Sequence, residues 1–193
     1  MLENRTPIRI VFFGNSLTAA FGLEPEQGFV ALLEQKMIAT GYSVDILNAG
    51  LSGETTSGGL QRIDYVLEKP LDLFVLELGI NDAFYGEETR VIKENLQKMI
   101  DLAKKANPKA QIILLGIKPP ADLPFDEPIA VYELYQELAQ ENDLVLIADL
   151  IEKVRKRPRQ YLFDDIHPNA EGHELLAETV WPVMKKVLIR VRN

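Results

Sequence analysis

Short apolar runs alternate with stretches of helical spacing along the chain. The runs lie at 8–13, 42–47, 71–78, 111–115 and 144–147, and the first is rich in β-branched and aromatic residues, as expected of a buried parallel strand. Between the runs, apolar residues recur at helical spacing, and we predict helices over about 24–40, 56–67, 87–107, 129–142 and 169–187. Strands that alternate with helices indicate a doubly wound parallel sheet with helices on both faces.

The fold class that follows is a three-layer α/β/α fold with a flavodoxin-like sheet of five parallel strands. We predict the strand order 2-1-3-4-5, because it is the simplest order and puts a switch point between the first and third strands. The 193 residues are expected to form one domain, since this length buries a substantial core and no repeat divides the chain. Residues 118–128 hold four of the eleven prolines and are predicted to form a surface loop, and 152–159 a solvated helix end and turn.

Composition narrows the possible partners. A formal net charge of −8 and an isoelectric point near 4.9 argue against nucleic acid or an anionic membrane surface, because both select clusters of Lys and Arg. The chain has no cysteine, which excludes disulfides, a thiol nucleophile and thiolate metal ligands. The sequence contains neither a cluster with metal-ligand spacing nor a glycine-rich phosphate loop. No metal and no cofactor are therefore expected, and the expected partner is a small molecule.

The hydropathy pattern also bears on location. No apolar run approaches the roughly 20 residues that span a bilayer, so no integral membrane segment is predicted. The N-terminal residues lack the apolar segment of a signal peptide, and we expect a cytoplasmic protein. A chain whose leader had been removed would look the same, and it would be periplasmic or secreted. The sequence leaves the oligomeric state open.

The candidate chemistry begins where the first predicted strand ends, in Phe13-Gly14-Asn15-Ser16-Leu17. In open α/β sheets, ligands bind beyond the carboxyl ends of the strands, where a loop can aim a side chain out of the core. Ser16 is therefore a candidate nucleophile, although a serine in this place is also typical of a turn or a helix cap. Residues elsewhere in the chain have to decide between the two interpretations.

One of the two histidines has the surroundings of a catalytic base. His167 lies in Asp164-Asp165-Ile166-His167-Pro168, directly before the last predicted helix. A serine hydroxyl needs a base to take its proton, imidazole suits that task, and a carboxylate must hold the imidazole in the required tautomer. Asp164, three residues before His167, can face it within one turn. His173 has no such partner and is predicted to be structural.

Acyl transfer also needs hydrogen-bond donors for the developing oxyanion. The candidates are the backbone N–H groups of Ser16 and Gly53 and the side-chain amide of Asn81, which the predicted strand order brings to the same edge of the sheet. Gly53 suits such a loop because it leaves the approach of a substrate open. Asp82 could position Asn81 or cap the next helix, and capping is the preferred interpretation.

Four short blocks carry a resemblance to the SGNH hydrolases, also called GDSL-type esterases and lipases. They occur in the family's order and span nearly the whole chain: Gly14-Asn15-Ser16-Leu17, Gly53 within Asn-Ala-Gly-Leu-Ser-Gly-Glu-Thr, Gly79-Ile80-Asn81-Asp82 and Asp164-Asp165-Ile166-His167-Pro168. The resemblance implies that Ser16 is the nucleophile, with His167 as its base and Asp164 as the partner of that base. It also implies that Gly53 and Asn81 complete the oxyanion hole.

The spacing around these blocks is most similar to that of single-domain bacterial arylesterases, acyl-thioesterases and lysophospholipases. One residue departs from the pattern, because the family usually has Asp where this chain has Asn15. Asn keeps the shape of Asp and one acceptor oxygen but loses the charge, so a hydrogen-bonded turn could survive while a charge-dependent role would not. We expect retained but altered activity.

The predicted function is that of a serine esterase that hydrolyses carboxylic ester or thioester bonds through an acyl-enzyme on Ser16. Short-to-medium acyl esters, acyl thioesters and lysophospholipids are all compatible substrates. Two alternatives stay open: a carbohydrate acetylesterase, which the same resemblance includes, and a non-catalytic acyl-binding domain in which Asn15 marks the loss of chemistry. Solvent-exposed aromatic side chains near the site would favour the acetylesterase, and an apolar groove would favour lipid or thioester substrates.

The acyl pocket is predicted from residues close to the nucleophile and in the proline-bearing loop. The candidates that bind the substrate are Thr18, Phe21, Leu23, Pro119, Pro120 and Leu123. Packing in the core or within the loop is an equally compatible role for each of them.

Overall fold

The computed structural model describes residues 6–119, 128–164 and 166–192. In this part of the chain, five parallel strands form one sheet, and their order is the predicted 2-1-3-4-5. In chain order the strands are β1 (Ile8–Gly14), β2 (Val44–Gly50), β3 (Leu73–Glu77), β4 (Gln111–Leu115) and β5 (Val145–Ile147). Because β1 lies between β2 and β3 and is covered on both faces, it carries the near-continuous apolar sequence of an inner parallel strand.

Helices cover both faces of this sheet and confirm the three-layer architecture. They are α1 (Ser16–Ala19), α2 (Phe29–Ala39), α3 (Thr56–Val66), α4 (Ile80–Phe84), α5 (Thr89–Ala106), α6 (Pro128–Asn142), α7 (Glu152–Arg155), α8 (Pro158–Tyr161) and α9 (Ala170–Arg192). Neighbouring residues of β1 serve different cores: Phe12 packs in the cluster that contains α2 and α9, and Phe13 in the cluster that contains α3, α5 and α6. The two hydrophobic cores therefore lie on opposite faces of the sheet.

Three strand ends lie level at the carboxyl edge of the sheet. Gly14 of β1 pairs with Gly50 of β2 and with Glu77 of β3. A Cβ atom on Gly50 would lie 2.3 Å from the backbone nitrogen of Ala19, so glycine is needed for α1 to rest against the end of β2. The segments that leave these three strands consequently start side by side.

Two predicted boundaries are wrong near this edge. β2 continues to Gly50 instead of ending at 47, because Asn48 and Ala49 pair in register with the end of β1 despite their weak strand propensity. The helix that was expected from about 24 begins at Phe29, after a 3-10 turn over Pro25–Gln27. At the end of β2, strand pairing decides what local propensity leaves ambiguous. Before α2, the extended backbone of Gly28 separates the 3-10 turn from the helix.

Other differences concern short or charged segments. The charged stretch 152–159, predicted as a helix end and turn, contributes to the two short helices α7 and α8. The last helix runs past its expected end and contains Pro182. Of the predicted surface loop at 118–128, residues 120–127 lie outside the described residues.

Candidate active site

Three predicted residues meet at the carboxyl edge of the sheet. The Ser16 Oγ atom lies 3.1 Å from Nε2 of His167, and Nδ1 of His167 lies 2.7 Å from Oδ2 of Asp164. Ser16 is the first residue of α1, directly after β1, whereas Asp164 and His167 lie in the loop between α8 and α9. The fold therefore brings together residues that are 151 positions apart and lines them up as hydroxyl, imidazole and carboxylate.

The loop that carries His167 is fixed by its own hydrogen bonds. Oδ1 of Asp164 accepts the backbone N–H groups of Ile166 at 3.1 Å and His167 at 2.6 Å. Partial burial raises the pKa of the Asp164 carboxyl, but the hydrogen bonds from His167 and Ile166 outweigh it and hold the pKa below its usual value. Asp164 is thus a charged acceptor that orients the imidazole.

Two aromatic rings flank the imidazole. The ring centroid of Phe21 lies 4.7 Å from that of His167, and Phe163 lies 5.9 Å from it in a stacked arrangement. The two phenyl rings also stack on each other, with 6.3 Å between their centroids. Phe21 thus lies beside His167, and its role in binding substrate stays a prediction. Phe163 is a neighbour that the sequence did not single out.

The predicted oxyanion donors come from two other segments beside Ser16. Asn81 is the second residue of α4, and its Nδ2 atom donates to the backbone oxygen of Glu54 at 2.9 Å. Gly53, in the loop between β2 and α3, has φ +78°, a conformation in which other residues are strained. Ser16, Gly53 and Asn81 line one common cavity.

A partly buried ion pair holds the loop that contains Gly53. The Glu54 carboxylate accepts from both Nε and Nη2 of Arg62, and Nη2 also donates to the backbone oxygen of Ala49 at 2.8 Å. The guanidinium lies 4.2 Å from the ring centroid of Phe13. These contacts, which the sequence pattern did not reveal, fix the Glu54 carbonyl to which Asn81 is bonded.

The turn that carries the candidate nucleophile is anchored on a buried acid. Asn15 caps α1, since its Oδ1 accepts the backbone N–H of Leu17 at 3.0 Å, while its Nδ2 donates to Oε1 of Glu77 at 2.7 Å. Burial raises the pKa of Glu77 to about 8, although hydrogen bonds from Thr18 and Asn15 favour the charged form. Glu77 is a functional candidate that the sequence pattern presents only as a strand residue.

Thr18 is not a pocket residue, contrary to prediction. Its side chain is buried and its hydroxyl donates to Oε2 of Glu77 at 2.9 Å. Residues two apart on a helix point about 200° away from each other, so Thr18 faces the sheet when Ser16 faces the cavity. Its role is to pack and bond within the core.

The cavity next to Ser16 has a volume of about 980 Å³ and a largely apolar wall. Its apolar part is formed by Leu17, Phe21, Ile80, Phe84, Tyr85, Ile117, Ile151, Pro158, Leu162 and Ile166. Its polar lining consists of Asn15, Ser16, Ser52, Gly53, Asn81, Arg155 and His167. Such a shape, apolar with a few convergent polar groups, is typical of a small-molecule site.

The structure describes two of the other four predicted pocket residues. Among the described residues, neither Leu23 nor Pro119 lines the cavity, and Pro119 is buried. Pro120 and Leu123 lie outside the described residues. The wall is instead built largely by the short helices α4, α7 and α8 and the loops beside them, which are too brief to show a periodic pattern.

Two further predictions concern buried polar residues. His173 has a structural role, because its Nδ1 atom accepts the backbone N–H of Phe29 at 3.1 Å. Burial lowers the pKa of His173 to about 4. Asp82 caps a helix, but not the helix that follows it, as was predicted. Its carboxylate accepts from the backbone N–H and the hydroxyl of Thr56, at the start of the preceding helix α3.

A hydroxyl that meets an imidazole held by a carboxylate, beside donors that converge on the same cavity, is the arrangement of a serine hydrolase that works by acyl transfer. Comparison with known proteins agrees with this class. The chain belongs to the GDSL-like Lipase/Acylhydrolase family, whose model matches residues 12–175. It is a serine hydrolase that acts on ester bonds.

Several relatives align over most of their length. The chain is 34% identical to esterase TesA of Pseudomonas aeruginosa over 93% of this chain and 89% of the relative. It is 31% identical to an arylesterase of Vibrio mimicus over 89% of this chain and 86% of the relative. It is 29% identical to thioesterase 1/protease 1/lysophospholipase L1 of Escherichia coli over 88% and 79%. A solved structure of TesA superimposes with a TM-score of 0.86 at 33% identity, covering 93% of this chain and 99% of that one.

Proposed function

We propose that Ser16 is the nucleophile of an esterase that hydrolyses carboxylic ester or thioester bonds through an acyl-enzyme. The observation that carries the proposal is the line of contacts from Ser16 through His167 to Asp164, with Ser16 and His167 in the lining of a largely apolar cavity. A serine hydroxyl is a weak nucleophile without such a base.

In the first half-reaction, Nε2 of His167 takes the proton of Ser16 as Oγ attacks the carbonyl carbon of the substrate. The Asp164 carboxylate accepts a hydrogen bond from the Nδ1–H of the imidazole and stabilises the imidazolium that forms. His167 then returns the proton to the leaving alcohol or thiol, and the acyl group stays on Ser16.

The negative charge on the carbonyl oxygen is placed beside the backbone N–H groups of Ser16 and Gly53 and the Asn81 amide. One N–H of that amide is used by the Glu54 carbonyl, so the second is assigned to the oxyanion. A donor fixed in advance needs no reorganisation as the charge develops.

In the second half-reaction, His167 removes a proton from a water molecule that attacks the acyl-enzyme. The tetrahedral intermediate meets the same donors, and its collapse releases the carboxylic acid and the Ser16 hydroxyl. These steps use water and groups of this chain, and the proposed mechanism includes no cofactor.

The substrates that fit best have an apolar acyl group. The apolar wall of the cavity favours acyl esters and thioesters, and the relatives named esterase, arylesterase and thioesterase/lysophospholipase support this class. A carbohydrate acetylesterase stays the second candidate, because Tyr85 lines the cavity and is 74% exposed, and aromatic faces of this kind suit sugars.

We also propose that residues 1–193 form one domain and that the protein acts on its substrate in the cytoplasm, or in the periplasm or outside the cell if a leader is removed. In the described ranges, no helix combines the length and the apolar character needed to cross a membrane. An ordinary fractionation of cells that express the natural gene tests the location.

The test of function is hydrolysis of p-nitrophenyl esters from acetate to palmitate by wild type and Ser16→Ala. Loss of the nucleophile is expected to lower kcat on the order of 10⁶-fold, as in serine proteases whose triad acts as a unit. Ser43→Ala is the matched control, since Ser43 is exposed and lies beside the start of β1, at the opposite edge of the sheet. A wild type that hydrolyses none of the esters, or a Ser16→Ala variant as active as wild type, would overturn the proposal.

A further inference from the structure

A buried acid and a buried amide face each other directly beneath the nucleophile. Glu77, the last residue of β3, and Asn15, the residue before Ser16, are each only 1% exposed. The Glu77 carboxyl meets three donor groups: the backbone N–H of Asn15 at 3.1 Å and the Thr18 hydroxyl at 2.9 Å on Oε2, and Nδ2 of Asn15 at 2.7 Å on Oε1.

The packing around this carboxyl leaves little freedom for rearrangement. A Cβ atom on Gly14 would lie 2.1 Å from the Thr18 hydroxyl and 2.7 Å from Oε2 of Glu77. The backbone of β1 therefore packs directly against the Glu77 carboxyl. The Asn15 amide cannot turn over without loss, because its Oδ1 atom already accepts the Leu17 N–H. Nδ2 of Asn15 is therefore held toward Glu77.

An acid suits these partners in either protonation state. The carboxylate accepts all three donors. The neutral acid can donate from Oε2 to the Thr18 oxygen, while Oε2 still accepts the Asn15 N–H and Oε1 accepts Nδ2. An amide at position 77 cannot do the same, since its NH₂ group would face either Nδ2 or the backbone N–H of Asn15.

We propose that Glu77 and Asn15 form a matched acid–amide pair in which Glu77 is a positioning residue for Ser16. Glu77 acts through Asn15, whose Oδ1 atom lies 3.5 Å from the Ser16 hydroxyl and caps α1. On this basis Asn15, in the place where the family usually has Asp, keeps a complete set of hydrogen bonds with the buried acid. The proposal rests on the function proposed for Ser16.

The inference is tested by exchanging the acid and the amide between positions 77 and 15. Glu77→Gln creates a donor–donor conflict and is expected to lower kcat on the order of 10–100-fold with little change in KM, because the nucleophile is displaced and the cavity wall is not. Asn15→Asp combined with Glu77→Gln restores the complement. In that double variant the amide NH₂ group at position 77 can donate to the carboxylate at position 15, and the amide oxygen accepts the backbone N–H of position 15 and the Thr18 hydroxyl. The reversed pair is expected to recover most of the lost kcat.

Asn15→Asp alone completes the double-mutant cycle. In this variant the carboxyl groups at positions 15 and 77 can share one proton across the 2.7 Å contact, so the loss of kcat is expected to be smaller than that of Glu77→Gln. The matched control is Asp72→Asn, the same acid-to-amide change at the opposite end of the same two strands, where Asp72 accepts the Arg9 N–H. It is expected to change the melting temperature but not kcat.

The outcomes separate the two proposals. A wild type without Ser16-dependent hydrolysis refutes the proposed function. A wild type that is active, with Glu77→Gln as fast as wild type, overturns the inference about the pair. If Glu77→Gln does not fold, the reversed pair decides alone: a folded, active double variant supports the inference, and a double variant that is unfolded or inactive contradicts it.

Discussion

The two arms of the candidate triad are held in different ways. The arm of the candidate nucleophile Ser16 is anchored in the core, since Asn15 and Glu77 are almost completely buried and belong to different strand ends. The base's arm lies at the surface, where the side chains of Asp164 and His167 are 37% and 20% exposed and are bonded within one short loop. The first arm depends on long-range packing and the second on local hydrogen bonds.

This difference predicts that changes in the two arms separate activity from stability. A change in the exposed arm should remove chemistry and leave the fold, because few buried contacts are lost. A change in the buried arm should affect both, because an unpaired polar group would stay in the core. Four predictions test this contrast and the oxyanion donor that lies beside both arms.

The largest effect is expected for His167→Ala. Without a base, kcat should fall on the order of 10⁶-fold, as it does when any one member of a cooperating pair of nucleophile and base is removed. The free energy of unfolding should change by about 1 kcal/mol, because the ring is partly exposed and its main neighbours are the rings of Phe21 and Phe163. Ester hydrolysis and urea denaturation measure the two quantities, and a large loss of stability would break the contrast.

A smaller loss, on the order of 10⁴-fold in kcat, is expected for Asp164→Asn. Oδ1 of Asn can still accept the Ile166 and His167 N–H groups, but its NH₂ group would donate to Nδ1 of His167. Nε2 would then carry the proton and could not accept one from Ser16. Comparison of kcat for Asp164→Asn and wild type checks this, and unchanged kcat would show that Asp164 does not set the tautomer.

Asn81→Ala should lower kcat on the order of 10²–10³-fold, because one donor to the oxyanion is removed. KM should change little, since the amide is assigned to the transition state and not to the acyl chain. Steady-state kinetics on a single p-nitrophenyl ester are sufficient. A rise in KM with unchanged kcat would instead place Asn81 in ground-state binding.

The smallest effect is a pH dependence of stability that comes from the buried arm. Glu77 has a native pKa of about 8 against 4.5 ordinarily, so above 4.5 the native state holds more protons than the unfolded state and stability falls as pH rises to 8. His173, with a native pKa of about 4 against 6.5, has the opposite effect, which fades as pH rises through 6.5. Between pH 6.5 and 8 the Glu77 effect should therefore dominate.

The free energy of unfolding is expected to decline in this window by up to about 1.4 kcal/mol per pH unit. Denaturant titrations at about pH 6.5, 7.2 and 8 measure the slope. Glu77→Gln has no ionisable group at this position and should flatten the slope, while Asp72→Asn should keep it. A wild-type slope of zero would show that Glu77 is already ionised at the lower end of the window.

The contrast between the two arms also explains what the sequence could predict. Asp164 and His167 are three residues apart, so their partnership is visible in one short segment. The strands at 8–13 and 111–115 are so apolar that the sequence pattern alone predicts their bounds to within one residue. The strand order then brings Ser16, Gly53 and Asn81 to one cavity, as predicted.

Glu77 could not be found in this way. It ends a strand of otherwise apolar residues, and only the register of β1 with β3 reveals that it lies beside Gly14 and below Asn15. The prediction that Thr18 lines the pocket is wrong for a related reason. A four-residue helix gives no periodic pattern from which the direction of the Thr18 side chain could be predicted. Partners far apart in sequence, and helices of one turn, require the structure.

The most direct test of Ser16 as the nucleophile is to label the protein with a fluorophosphonate and to locate the adduct by peptide mass spectrometry. We predict one adduct on Ser16, formed slowly in His167→Ala and absent in Ser16→Ala. An adduct on Ser52, which lines the same cavity, or no adduct on a protein that hydrolyses esters, would contradict the role proposed for Ser16.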